Sequence, residues 1–117
     1  MATIKSFTSL EQSCKLAEFL SIESADLYYY KYGLPHFIEG QRDYESIKTD
    51  KYHDYIPCWS LAALLGVIPK PDLIQNSEEI WLVHSWVYAY PWSVGGYSNP
   101  IDACVAMIEK LHELNLL

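Results

Sequence analysis

The sequence predicts an α+β fold, in which about three helices pack against a small antiparallel sheet and the last helix is amphipathic. Strand-like composition is found at Ala25–Tyr32 and Glu79–Tyr90. Helical signals are found at Ser9–Phe19, Pro57–Val67 and Asn99–Leu117. A chain of 117 residues, 50 % of them hydrophobic, is long enough to bury a core without disulfides. We therefore expect a single domain spanning residues 1–117.

The first predicted helix begins with a capping pattern. Ser9 and Gln12 form the motif S-x-x-Q, in which each side chain binds the backbone N–H of the other residue. The residues that follow give the helix an apolar face, which consists of Leu10, Cys14, Ala17 and Leu20. These two signals together predict a helix over Ser9–Phe19.

The next segment, Ala25–Tyr32, predicts a strand. It is rich in residues that favour strands, and it ends before Gly33. Because successive side chains of a strand point to opposite faces, Leu27 and Tyr29 should share one face. The other face should carry Tyr28, Tyr30 and Tyr32.

The middle of the chain is less regular. Leu34–Ile56 shows no clear periodicity, and a structureless loop of this length is unusual in a compact domain. It is therefore either a functional flap or a segment that contains a short helix or strand. Pro57–Val67 predicts a short helix with Pro57 at its start. Because this helix is apolar on nearly all sides, we expect it to be the central buried helix.

Residues 70–98 predict a connection, a strand and a loop. Lys70–Ser77 is rich in turn-forming residues, and Pro91–Ser98 predicts a loop around a Gly-Gly pair. Glu79–Tyr90 predicts a long strand or a bent pair of strands, with apolar side chains on both faces. A domain of this size has few helices to cover both faces. We therefore expect a second copy to cover one of them, giving a two-fold homodimer.

The clearest helix signal lies in the last nineteen residues. Asn99 is a favourable N-cap, Pro100 suits the first helical position, and Asp102 lies near the positive end of the helix dipole. Apolar residues then recur at three- and four-residue spacing, namely Ile101, Cys104, Met107, Ile108, Leu111 and Leu114. This pattern predicts an amphipathic helix whose apolar side docks on the domain.

Composition excludes several classes of partner. The formal net charge is −7, and the basic residues are seven scattered lysines and Arg42. Binding of DNA or RNA through phosphates requires a basic stripe, so no nucleic-acid partner is expected. No apolar run of about 18 residues is present, which predicts no membrane span and no membrane partner. The first residues lack a signal peptide, which predicts a cytoplasmic protein.

Cysteines and histidines give no metal or cofactor signal. The three cysteines, Cys14, Cys58 and Cys104, are odd in number and widely spaced, which predicts free thiols. The four histidines lack the spacing of metal ligands. No glycine-rich phosphate-binding motif is present. We therefore expect no metal and no cofactor.

Cys58 has two interpretations. At the start of a helix its thiol pKa would be lowered, and with His84 on a later strand it would match the plan of a papain-like hydrolase. However, the glycines that usually surround such a nucleophile are missing, and the neighbouring segment Leu61–Leu65 is apolar. The sequence therefore favours a buried core thiol, and no catalytic residue is assigned.

Aromatic residues give the strongest functional signal. The chain contains ten tyrosines and four tryptophans, and these residue types are enriched at binding surfaces. Five of them surround the end of the predicted strand and the glycine loop, namely Trp86, Tyr88, Tyr90, Trp92 and Tyr97. We expect Trp92 and Tyr97 to be exposed and Trp81 to be buried. Rings that stack on a base, together with Arg42 for a phosphate, would suit a nucleotide-like ligand.

Three segments resemble a known group of proteins. Ile4–Leu20, Ile56–Leu65 and Asn99–Leu117 are similar to segments of short, uncharacterised accessory proteins from gut Bacteroidales and their phages. The matching residues form helices and core, so the resemblance implies a fold and no activity. It also implies a small accessory protein of the kind that phages carry.

These observations favour a non-enzymatic binding protein. The first hypothesis is a phage-type protein that sequesters a nucleotide immune signal through the residues Trp86, Tyr88, Tyr90, Trp92, Tyr97 and Arg42. The alternative is a protein-interaction module that inhibits or bridges a host protein through the same aromatic surface. A third hypothesis is a small Cys-His hydrolase.

Overall fold

The computed structural model of the protein describes residues 5–31, 33–87 and 90–117. These residues form four α-helices and two three-stranded antiparallel sheets, which confirms the predicted α+β class. The helices are α1 (Leu10–Ala17), α2 (Gln41–Lys48), α3 (Leu61–Val67) and α4 (Pro100–Glu113). The strands are β1 (Leu27–Tyr30), β2 (His36–Phe37), β3 (Tyr55–Cys58), β4 (Pro71–Gln75), β5 (Trp81–Val87) and β6 (Tyr90–Tyr97). Sheet 1 has the order β2-β1-β3, and sheet 2 has the order β4-β5-β6.

Helices α1 and α4 begin at the caps that the sequence predicts. The Ser9 hydroxyl accepts a hydrogen bond from the backbone N–H of Gln12 (3.2 Å), and the Gln12 side chain accepts one from the backbone N–H of Ser9 (3.0 Å). At α4 the Asn99 side chain accepts a hydrogen bond from the backbone N–H of Asp102 (2.9 Å). Both predicted helices are confirmed, including the C-terminal amphipathic helix.

The predicted strand in residues 25–32 is confirmed as β1, the centre of sheet 1. Leu27 and Tyr29 are buried on the inner face, as the alternation predicts, whereas Tyr30 is exposed. The Tyr29 hydroxyl donates a hydrogen bond to the carbonyl of Thr8 (2.8 Å), which holds the segment before α1 against this sheet. Tyr32 lies outside the described residues.

The irregular middle segment contains β2 and α2, so the alternative in which it contains short elements is confirmed. The Asp43 carboxylate accepts a hydrogen bond from the backbone N–H of Glu39 (2.8 Å) at the start of α2. The Tyr44 hydroxyl donates to the carbonyl of Ala25 (3.0 Å), and Ile47 is buried. These contacts fix α2 against the chain that leads into β1.

The prediction of a helix that starts at Pro57 is wrong. Pro57 and Cys58 belong to β3, which is an edge strand. A proline is tolerated in an edge strand because its missing N–H can face away from the neighbouring strand, so no hydrogen bond of the sheet is lost. Helix α3 begins only after Ser60. The Ser60 hydroxyl accepts a hydrogen bond from the backbone N–H of Ala63 (3.3 Å) and donates one to the Asp26 carboxylate. Cys58 therefore does not lie at a helix N-terminus.

The central buried helix is α4 and not α3, which corrects a second prediction. Only Leu64 is buried in α3. Helix α4 packs against α3, β5 and β6, and its buried residues are Ile101, Ala103, Cys104, Val105, Met107, Ile108 and Leu111. The longer helix covers the sheet, whereas α3 lies at its side with most of its apolar residues only partly covered.

Two more predictions are corrected in sheet 2. Lys70–Ser77, predicted as a connection, contains β4, and Pro91–Ser98, predicted as a loop, lies largely in β6. A β-bulge takes up Gly95 and Gly96, and Gly96 has a φ of +90°. Glycines inside a strand often mark such a bulge. Glu79–Tyr90, predicted as a long strand or a bent pair of strands, contains the strand β5 and only the first residue of β6.

The core lies between α4 and the inner face of sheet 2. Val83 and Ser85 of β5 are fully buried there, and Leu16 and Trp59 extend the same cluster towards sheet 1. A smaller cluster behind sheet 1 contains Leu27, Tyr29 and Cys58. Within the described ranges, no helix is long and apolar enough to cross a membrane.

Candidate functional site

The structure divides the predicted aromatic set between two faces of sheet 2. Trp92 lies opposite the buried Ser85, and Tyr97 lies opposite Trp81. Trp92 and Tyr97 therefore both lie on the inner side of sheet 2. Trp86 follows Ser85 in β5 and therefore points to the outer side, where it is 43 % exposed. The described members of the set thus do not line one pocket.

Trp92 and Tyr97, which the sequence predicts to be exposed, are partly buried against the core. Trp81, which it predicts to be buried, is also only partly buried. The Lys110 ammonium lies 5.8 Å from the centre of the Trp92 ring. Tyr97 lines a shallow cleft of about 330 Å³ between α1 and α4, together with the acidic residues Glu11, Asp102 and Glu109. Among the described residues, these three carboxylates outnumber the one ammonium group that lines the cleft, that of Lys15, so the cleft is a poor site for a phosphate.

Three other predicted site residues lie elsewhere or outside the description. Arg42 is exposed on α2, whose main contacts are with β3 and the short 3-10 helix at Ile22–Ser24. Tyr88 lies outside the described residues, and the side chain of Tyr90 is not described. The role of these residues in ligand binding stays a prediction.

Cys58 is a core thiol, as the sequence favours. Its side chain is 0 % exposed, and its sulfur lies 3.5 Å from both the hydroxyl and the carbonyl oxygen of Thr8. Loss of solvation on burial raises the pKa of this thiol above its usual value. His84 lies in sheet 2, opposite Asp72 and Ser93 of the neighbouring strands. The raised pKa and the burial both disfavour a nucleophilic thiolate.

The outer face of sheet 2 carries a partly exposed patch, which we call the Trp86 face and which consists of the apolar residues Ile74, Leu82 and Trp86 together with His84 and Asp72, which lie opposite each other. Ile74 lies directly opposite Leu82 and is 42 % exposed. A Cβ atom added at Gly95 would come within 2.9 Å of Leu82 Cδ2, so the Leu82 side chain lies over the glycine backbone. Among the described helices, α4 packs on the opposite face of this sheet.

A second aromatic surface lies on the outer face of sheet 1. We call it the Tyr row, and it consists of His36, Tyr28, Tyr55 and Tyr30. The Tyr28 ring lies 5.5 Å from the His36 ring and 5.8 Å from the Tyr55 ring, measured between ring centres, and the Tyr55 and Tyr30 rings lie 4.8 Å apart. Tyr30 and His36 are exposed, and the other two rings are partly buried.

Charged groups border the Tyr row. Loss of solvation raises the pKa of Tyr28, and the nearby carboxylates of Asp43 and Glu39 raise it further. The Lys31 ammonium lies 5.4 Å from the centre of the Tyr30 ring. The row is thus an aromatic surface with acidic neighbours, and it already holds one cation of its own chain.

Sequence reasoning missed the Tyr row as a site. The alternation within Ala25–Tyr32 does place Tyr28 and Tyr30 on one face, as predicted. His36 and Tyr55 lie in the segment without a clear periodicity, and only the pairing of β1 with β2 and β3 brings their rings beside the tyrosines.

Neither a metal-binding group among the described residues nor a matching protein assigns a role to these two surfaces. In the part of the chain that the structure describes, no group of three or more His, Cys, Asp or Glu residues could hold a metal ion. No protein-family model, no curated protein and no solved structure matches the chain.

Proposed function

We propose that the protein is a non-enzymatic protein-interaction module that bridges partners as a homodimer. The observation that carries the proposal is the Trp86 face, where apolar side chains of two adjacent strands stand exposed on a regular sheet. Two copies that meet through this face would leave both copies of the Tyr row open. A two-fold contact of this kind needs only one surface patch, which pairs with itself.

The size of the Trp86 face sets the expected strength of association. The whole outer face of sheet 2, with three strands about 4.8 Å apart and about seven residues long, presents roughly 300 Å² per copy, and the Trp86 face is the part of it on β4 and β5. A standard interface buries about 800 Å² per partner, so the dimer should be weak and depend on concentration. Trp86 lies near the end of β5, next to the last residue that pairs with β4, and tryptophan is among the residue types that most often contribute a large share of binding energy.

The geometry gives less support to the two other hypotheses. A nucleotide pocket would need Trp86, Trp92 and Tyr97 on one side of the sheet, whereas Trp86 lies on the opposite face from the other two. A hydrolase would need an accessible thiolate, whereas the Cys58 side chain is buried. We therefore favour the interaction module over both.

The test is sedimentation velocity on the purified chain, from tens to several hundred micromolar. We expect a monomer of 13.5 kDa at low concentration and a growing dimer fraction at high concentration. Trp86→Ser and Ile74→Lys should each remove the dimer, because the first deletes the exposed tryptophan ring and the second places a charged group among the apolar side chains. The matched control is Tyr52→Ser, since Tyr52 is 84 % exposed and lies outside both surfaces.

A chain that stays monomeric over the whole range would contradict the proposal, and so would a dimer that Trp86→Ser leaves intact. Thermal-shift measurements with cyclic nucleotides and ADP-ribose-type nucleotides provide a separate check. A ligand that binds the native state raises the melting temperature, so a clear rise would favour nucleotide capture instead.

A further inference from the structure

We propose that the Tyr row binds arginine side chains of an extended, basic segment of a partner protein. The inference rests on the proposed role as a protein-interaction module, and it names the chemistry of the partner. It concerns sheet 1, whereas the proposed dimer contact lies on sheet 2. The two proposals can therefore fail separately.

The shape of the Tyr row suits a flat cation. The ring centres of His36, Tyr28, Tyr55 and Tyr30 follow one another at spacings of 4.8 to 5.8 Å on one face of the sheet. Neighbouring rings are inclined to each other by 30° to 46°, so they form a row and do not enclose a cage. A methylated ammonium group is usually held by rings on several sides, whereas a flat guanidinium group can stack on a single ring face.

The charge around the Tyr row is negative and favours a basic partner. The chain carries a net charge of −7, and the Asp43 and Glu39 carboxylates act electrostatically on Tyr28 in the middle of the row. A carboxylate beside a ring can accept both N–H groups of a guanidinium that stacks on that ring. The same negative charge disfavours a nucleic acid, whose bases would otherwise suit a row of rings.

A cation of the chain itself already lies on the Tyr row. The Lys31 ammonium lies 5.4 Å from the centre of the Tyr30 ring, within the range of a cation–π contact. Lys31 is exposed and reaches the ring from its own strand end, so a partner's cation would compete with it there. A single exposed contact of this type is weak, and a partner segment therefore needs at least two arginines.

The experiment is isothermal titration calorimetry at low salt with a blocked peptide that has two arginines in a Gly/Ser background. Three matched peptides replace both arginines by lysine, by citrulline or by glutamate. We expect the arginine peptide to bind about fivefold more tightly than the lysine peptide. The citrulline peptide keeps the shape without the charge and should show no measurable binding. Equal binding of the arginine and citrulline peptides would overturn the proposal.

Variants locate the site. Tyr30→Ala should reduce affinity for the arginine peptide at least about fivefold, whereas Tyr30→Phe, which keeps the ring, should retain it. Tyr52→Ala is the control for an exposed tyrosine outside the row. Glu39→Gln should also weaken binding, and Glu78→Gln, on the turn after β4, should not. Equal losses of affinity for the arginine peptide in the Tyr30 and Tyr52 variants, or in the two glutamate variants, would contradict a site on the Tyr row.

Lys31 provides a test in the opposite direction. Its φ of +50° suits asparagine, so Lys31→Asn should fold, and it removes the competing cation from the Tyr30 ring. We expect this variant to bind the arginine peptide more tightly than Lys51→Asn, which changes the net charge equally at an exposed site. Trp86→Ser should bind the peptide as the unmodified chain does, so a failed dimer and a failed peptide site are distinguishable. Weaker binding of the arginine peptide by Lys31→Asn than by Lys51→Asn would count against the proposal.

Discussion

Asp102 joins three parts of the chain through its carboxylate. One oxygen accepts hydrogen bonds from the Lys5 ammonium (2.9 Å) and the Gln12 amide (2.7 Å), and the other accepts one from the Asn99 amide (2.7 Å). Loss of solvation on its own would raise the pKa of Asp102, but the hydrogen bonds from Lys5, Asn99 and Gln12 lower it below 3.8. The residue thereby links the start of α4 to α1.

The lowered pKa of Asp102 predicts a dependence of stability on pH. Because the folded pKa lies below the unfolded value, the stabilisation is present above about pH 4 and is lost as the pH falls through the folded pKa. Asp102→Asn should lower the free energy of unfolding by about 1–2 kcal/mol at neutral pH, less than for a buried group because the side chain is 35 % exposed. Urea unfolding of both chains between neutral pH and about pH 2 measures the difference. A difference that does not shrink in acid would contradict this account.

The three cysteines should react very differently with an alkylating reagent. Cys14 is exposed, whereas Cys58 and Cys104 are buried. Burial raises the pKa of the Cys58 thiol and raises that of Cys104 to about 12, so neither forms the reactive thiolate. Mass spectrometry should find one iodoacetamide adduct, on Cys14, in the native protein and adducts on all three after unfolding. Labelling of native Cys58 as fast as Cys14 would revive the hydrolase hypothesis.

At the scale of elements, the glycines of α3 and β6 have opposite roles. Gly66 lies inside α3 with no atom within 4 Å of an added Cβ, so it only weakens the helix. Gly96 lies in the bulge of β6 at a φ of +90°, which other residues rarely adopt. The same residue type is thus a defect in one element and a requirement in the other.

This contrast predicts two alanine variants with effects of opposite sign. Gly66→Ala should raise the free energy of unfolding by about 0.5–1 kcal/mol, because alanine loses less backbone entropy in a helix. Gly96→Ala should lower it by about 1–2 kcal/mol through backbone strain. Chemical denaturation of the two variants beside the unmodified chain measures both changes. A stabilising Gly96→Ala would show that the bulge does not require glycine.

At the scale of the whole molecule, α4 and Trp59 connect the two sheets. Helix α4 covers the inner face of sheet 2, and Met107 lies fully buried in that contact. Trp59 follows β3 of sheet 1 but belongs to the same core cluster as α4. Its backbone N–H donates to the Thr8 hydroxyl (3.1 Å), and its indole N–H donates to the Ser24 hydroxyl (2.9 Å). Trp59 therefore brings the main core to the end of β3, next to the separate smaller cluster behind sheet 1.

Because Trp59 follows β3 and packs in the cluster of α4, we expect both sheets to unfold together. Met107→Ala should lower the free energy of unfolding by about 2–5 kcal/mol, because the cavity arises in the centre of the core. Native-state hydrogen exchange should show the same loss of protection at the slowest amides of β1 and of β5. If only β5 loses protection, the two sheets are separate folding units.

Features of the fold that depend on residues close together in the chain can be predicted from the sequence. The caps at Ser9 and Asn99 and the apolar stripe of α4 concern residues three or four positions apart, and the sequence alone determined these two helices. The strand alternation at Leu27 and Tyr29 is equally local. These features follow from backbone geometry within one or two turns or pleats, so tertiary contacts did not alter them.

Only the tertiary structure decided the features that depend on strand pairing. Pro57 lies in a strand because β3 pairs at an edge, and the Gly-Gly pair became a bulge because β6 pairs with β5. Pairing also separated Trp86 from Trp92, since directly opposite residues share a face and consecutive residues of a strand do not. His36 and Tyr55 joined the Tyr row through the register of β1 with its two neighbours. The pairing of β1 with β3 joins segments that are distant in the chain, so no local residue pattern contains its register. Strands β5 and β6 are neighbours in the chain, and there the connection between them and the bulge set which residues share a face.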